Sequence, residues 1–98
     1  MVEFIDTDNE RTFILKEEVI SVKVLKLEDI LNTFIREDDR NAIIDLSNVT
    51  KIDSMSLAAL IRVKNKLTKA GRSLSLSNPT QGVMRVLELA GLDAFLLE

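Results

Sequence analysis

The sequence predicts an α/β fold, a mixed β-sheet of about four to five strands that opens with an N-terminal hairpin and packs against about three to four helices. Two short runs rich in Phe, Ile and Val open the chain, and apolar residues then recur at helical spacing. From Ala42 onward, strand-like and helix-like segments alternate. Strand-helix crossovers of that kind imply parallel pairing with right-handed connections.

Taken in order, Val2, Phe4 and Ile5 are separated from Thr12, Phe13, Ile14 and Leu15 by Asp6-Thr7-Asp8-Asn9. β-branched and aromatic side chains suit a pleated surface and Asp and Asn suit a tight turn, so this segment reads as a hairpin. From about Val22, the residues Leu25, Leu27, Ile30, Leu31, Phe34 and Ile35 follow a nearly helical period, with Lys26, Glu28, Asp29, Asn32 and Arg36 mostly opposite. This predicts an amphipathic helix that ends in the charged loop 37–41. Ala42, Ile43, Ile44 and Leu46 form an apolar run too short for a helix. It is expected to be a central strand covered on both faces, with Asp45 near its end, paired or hydrated. The next helix is expected over about 54–70, with Leu57, Leu60, Ile61 and Leu67 as its core stripe and Gly71 as its terminator. Residues 72–77 alternate as a strand with Leu74 and Leu76 on its dry side. Pro79 opens a third helix bearing Val83, Val86, Leu87 and Leu89, which Gly91 stops. The remaining residues form a last edge strand or pack on the sheet.

The chain has 98 residues, the size of a single domain over 1–98, and nothing in it reads as a linker or repeat. No stretch approaches the roughly 20 apolar residues of a bilayer span, and MVEFIDTDNE lacks the pattern of a secretory leader. A cytoplasmic protein without membrane insertion is expected. With no cysteine and no histidine, the chain has neither thiolate nor imidazole for metal binding or catalysis, and no cofactor is expected. A formal charge of -3 argues against direct nucleic-acid binding. Arg62, Lys64, Lys66, Lys69 and Arg72 run without a compensating acid nearby in sequence, as a solvated face or an acidic partner's docking patch would.

The junction between the third strand and second helix carries the most chemistry. Asp53-Ser54 stands where the helix begins, beside backbone N–H groups that lack intrahelical partners and at the positive end of the helix dipole. Asp and Ser are common caps, which explains the pair without a function. The position adds to that explanation, because ligands gather at the carboxyl ends of parallel strands and a phosphate is stabilised at a helix N-terminus.

Three segments, AIIDLSNVTKIDS, LAALIRVKNKLTKAG and VMRVLELAGL, within Ala42 to Leu92, resemble the STAS domain of bacterial anti-anti-sigma factors, the anti-sigma factor antagonists. The resemblance covers about half the chain and implies a STAS-like fold. It further implies that Ser54 is phosphorylated by an anti-sigma factor serine kinase and dephosphorylated by a serine phosphatase. Unphosphorylated, such a protein binds the kinase and frees the sigma factor, so it is a partner-switching regulator of transcription and no enzyme.

Family members commonly follow Asp-Ser with a small residue, a glycine and a branched apolar residue; Met55, Ser56 and Leu57 follow here. Met55 and Ser56 are therefore expected to reshape a partner-binding contour made by residues 53–56. Lys16-Glu17-Glu18-Val19-Ile20 lacks the family's glycine and aspartate, so only Asp53 and Ser54 carry over. The alternative implied by the resemblance is a non-switching STAS scaffold, or a subunit of a membrane transport or lipid-trafficking complex, in which Ser54 is only a cap.

Overall fold

A computed structural model describes residues 2–16 and 23–97. The first strands, β1 (Val2–Asp6) and β2 (Glu10–Leu15), pair antiparallel as the expected hairpin. Its turn is closed locally, with the Thr7 N–H donating to the Glu10 carbonyl at 2.9 Å. Next come α1 (Lys23–Glu37), β3 (Asn41–Asp45), α2 (Ser54–Lys69), β4 (Leu74–Ser77), α3 (Gln81–Leu89) and the short α4 (Asp93–Leu96). The stretch 17–22, with most of the segment compared above and the expected helix start at Val22, lies outside the described residues.

The four strands stand in sequence order, with β2 parallel to β3 and β3 parallel to β4. Phe13, Ile44 and Leu76 lie in one register row, all at 1% exposure or less. Residues of all four helices join this same core cluster. The expectation that β3 is covered on both faces is corrected: Ala42 and Ile44 are buried, but Ile43 and Asp45, which alternate with them, are only half-buried. Crossovers of one hand that all step the same way along the sheet place their helices on one face and leave the other wet.

The helices are phased slightly differently from the expected stripes. In α1 the buried positions are Val24, Leu27, Leu31 and Phe34, a narrow stripe that leaves Leu25 exposed. In α2, Val63 is fully buried and Ile61 only partly so. Leu89, one of the apolar residues borne by α3, is 82% exposed, because it lies about 200° around the helix from the buried Leu87. The tail is neither all strand nor merely packed on the sheet. Residues 93–96 coil into α4, burying Leu96, and only Leu97 makes a parallel bridge to Leu76.

Gly71 and Gly91, with φ of +74° and +70°, end α2 and α3 in the left-handed conformation. After each, two N–H groups fold back onto the last turn, Gly71 to Thr68 and Arg72 to Leu67, Gly91 to Glu88 and Leu92 to Leu87. That is the Schellman closure, which satisfies carbonyls a helix end otherwise strands.

The basic run of α2 finds its partners across the fold. Arg62 donates twice to Glu28 of α1 at 2.9 Å, and Lys66 donates to Asn32. Arg72 donates to the carbonyls of Arg40 and Ile35, tying the start of β4 to the end of α1. Much of the run therefore serves tertiary structure, with the acid supplied from 34 residues away.

Candidate functional site

Two loops meet at the carboxyl ends of β3 and β4, and Asp45 joins them. Its Oδ1 accepts from the Ser47 N–H at 2.9 Å and the Ser47 hydroxyl at 2.6 Å, and its Oδ2 accepts from the Asn78 amide at 3.0 Å. Partial burial works against ionisation, yet the bonds from Ser47 and Asn78 outweigh it and hold the carboxyl below its ordinary pKa. Asn78 makes this reach from a left-handed backbone, φ +52°, which Asn tolerates better than most residues.

The rest of the β3–α2 loop is clasped by the start of α3. Val49 is buried, and its carbonyl accepts from the Thr80 hydroxyl at 2.6 Å. Gly82 lies so close to the loop that a Cβ there would come within 2.9 Å of the Thr50 carbonyl oxygen. Any side chain at 82 would push loop and helix apart. Asn78, Thr80 and Gly82 were not singled out from the sequence, since their partners lie about 30 residues upstream.

On this platform α2 begins with a capping box. Asp53 is extended, with φ -123° and ψ 178°, and its Oδ1 accepts from the Ser56 N–H at 2.9 Å and from the Ser56 hydroxyl at 2.8 Å. The Ser56 Oγ accepts in return from the Asp53 N–H at 2.9 Å. Each residue thus satisfies an N–H of the other. The expected contour residues separate accordingly. Ser54 and Met55 are exposed, Met55 at 49%, and Asp53 is half-buried. Ser56, expected on that contour, is 2% exposed and turned into the cap, so its hydroxyl shapes the contour from beneath.

Ser54 is the first residue of α2, and its hydroxyl makes no hydrogen bond to another described residue. Its own N–H and that of Met55 belong to the opening turn, where no intrahelical acceptor exists, whereas Asp53 has already taken the N–H of Ser56. An oxyanion on Ser54 would meet that positive helix end.

A family model, the STAS domain, matches residues 2–97. The chain belongs to the STAS domain family. No curated protein matches the sequence. Among solved structures it is similar to TM1081 of Thermotoga maritima, described as an anti-sigma factor antagonist, with a TM-score of 0.88 at 21% identity over 98% of this chain and 83% of that one. It is similar to the anti-sigma factor antagonist SpoIIAA in its unphosphorylated form, with a TM-score of 0.85 at 17% identity, covering 99% of this chain and 86% of that one. SpoIIAA of Bacillus has also been solved phosphorylated, where the TM-score is 0.75 at 16% identity, covering 99% and 89% of the two chains. A part of the murine anion transporter Slc26a9 is similar too, with a TM-score of 0.77 at 16% identity over 92% of this chain and 15% of the transporter. At these identities the likeness is one of fold, and the four-stranded mixed sheet with four helices is the STAS fold.

Among the described residues no group of three acidic, His or Cys side chains converges as a metal site, and no helix is long and apolar enough to cross a membrane. The Asp53 Oδ1 is already engaged by the N–H and the hydroxyl of Ser56.

Proposed function

We propose that this STAS domain is an anti-sigma factor antagonist that switches partners through Ser54. Unphosphorylated, it binds an anti-sigma factor serine kinase in the cytoplasm and thereby releases the sigma factor; phosphorylated, it lets go. The observation that carries the reading is the exposed Ser54 hydroxyl on the first residue of α2, beside a capping box that fixes Asp53 and Ser56. Membership of the family and the fold shared with SpoIIAA, known in both phosphorylation forms, support it.

In the transfer, the Ser54 Oγ attacks the γ-phosphorus of ATP held by the kinase, ADP leaves, and the hydroxyl proton passes to a base of the kinase. The product carries about -1.5 to -2 charges at neutral pH, which the helix end and the opening N–H groups accommodate. The same dianion lies beside Asp53 and Met55 on the binding surface, so it repels an acidic or close-fitting partner without a change of fold. A serine phosphatase restores the hydroxyl. Incubation with the cognate kinase and ATP adds one phosphate, mapped by mass spectrometry to Ser54, and Ser54→Ala abolishes it; a phosphate elsewhere, or none, overturns the reading.

The fold shared with a part of Slc26a9 favours a second reading, a non-switching scaffold or subunit of a membrane transport or lipid-trafficking assembly. Affinity purification distinguishes the two, since a transport subunit would be recovered in place of a kinase, with equal yield from Ser54→Ala.

A further inference from the structure

Between β1 and α1, on the helix-bearing face of the hairpin, lies an open groove of about 450 Å³. Its floor is aromatic. Phe13 and Phe34 meet edge to face at 5.2 Å between centroids, and Phe4, 54% exposed, packs 6.5 Å from Phe13. Ile30 completes the apolar surface from the α1 side. One wall is β1, the edge strand of the sheet, whose outer backbone groups have no strand beside them among the described residues.

The rim is charged with one sign left over. Arg11 lies in the groove, 4.0 Å over the Phe4 ring, but its charge is met by a two-pronged bond to Asp6, at 2.7 and 3.0 Å, and by Asp38 at 3.7 Å. Asp38 is itself paired to Arg40 at 2.8 Å. Asp29 and Glu37, both exposed and both lining the groove, make no ion pair with a described residue. They stand eight residues apart on α1, about 12 Å along its axis.

We propose that this groove is a second docking site and that its occupant is a basic peptide segment with an apolar anchor. The anchor would cover Phe4 and lie between Ile30 and Phe34, while cationic side chains reach Asp29 and Glu37 and the peptide backbone runs along the open edge of β1. Charge complementarity selects the occupant, because the uncompensated charge of the rim is acidic. The register separates this site from the switch. Asp6 and Arg11 lie at the end of the sheet where β3 begins, next to Asn41, whereas Ser54 follows the end where β3 stops. The groove is therefore free to hold one partner while Ser54 engages another, and it goes beyond the switching function, with which it shares no residue.

The test uses the isotope-labelled full chain, titrated with a ten-residue peptide of alternating Arg and Leu and with the same peptide carrying Glu for Arg. The expected result is amide shift changes confined to β1, Arg11 and the 29–37 half of α1. Affinity should fall about tenfold in the doubly reversed variant Asp29→Lys with Glu37→Lys, fall with salt, fall in Phe4→Ser, and be unchanged in Ser54→Glu. All substituted side chains in these variants are exposed, and the dispersion of each spectrum verifies the fold. Equal binding of the acidic peptide, shifts gathered at Ser54, or indifference to the double reversal would overturn the proposal. So would a dimer that Phe4→Ser dissociates, since the occupant would then be a second copy of the chain.

Discussion

The two ends of the sheet are held together by different means. Where β3 and β4 stop, Asp45, Thr80 and Gly82 bind loops to one another through hydrogen bonds and close contact, and the Asp45 carboxylate bonds to neutral donors. Where β3 starts, Asp6, Arg11, Asp38 and Arg40 pair mainly with each other. The difference bears on function. A surface meant to gain and lose a phosphate is best built from bonds that a dianion does not reorganise, whereas an ion-pair cluster would re-pair around it.

The largest expected effect comes from forcing the clasp open. Gly82→Val sets a side chain against the Thr50 carbonyl and is expected to cost about 2–3 kcal/mol in chemical denaturation, with the greatest loss of amide protection over residues 46–53. Next is Asp45→Ala, which removes the acceptor shared by Ser47 and Asn78 and unties the two loops, and should cost about 1 kcal/mol. Ser56→Ala removes half of the capping box and is expected to cost about 0.5–1 kcal/mol, while leaving Ser54 exposed and modifiable.

The smallest effect belongs to the other end. Asp6→Asn is expected to lower stability less than Asp45→Ala does, and its effect should vanish in about 1 M salt while that of Asp45→Ala persists. Acid titration sharpens the contrast. Hydrogen bonds from Arg11 lower the pKa of Asp6, and bonds to Arg40 lower that of Asp38, as Ser47 and Asn78 lower that of Asp45. Each depressed carboxyl contributes stability that is complete above the ordinary carboxylate range near pH 4 and is lost as pH falls through the folded value. Below its folded value Asp45 no longer contributes this stability, and the wild type and Asp45→Ala should draw together. Added salt should weaken the contribution of Asp6, which rests on Arg11, more than that of Asp45.

Sequence patterns carried the hairpin, the first three helices, β4 and the Gly71 and Gly91 stops, because each rests on periodicity or on a residue next to its own effect. They missed the open face of β3. A run of Ala, Ile and Ile is equally apolar whether one or both faces are covered, and only the shared direction of the crossovers decides it. Asp53 and Ser54 were legible as a helix start, and their local geometry follows from residues within three positions. Ser56 was assigned to the outside because one position in a helix start does not reveal its azimuth, and the reciprocal bond to Asp53 turned it inward. The clasp by Thr80 and Gly82, and the ion pair of Arg62 with Glu28, join residues more than 30 positions apart, beyond the reach of local pattern.

The central claim is that Ser54 acts by local charge on a platform already built. Its most direct test compares amide spectra and hydrogen exchange of the unmodified chain with those of the chain phosphorylated at Ser54. Changes confined to about residues 50–58, with unaltered protection in β1, β2 and α1 and loss of kinase binding, are the predicted result. Altered protection spreading to the hairpin, or binding that survives the phosphate, would contradict it.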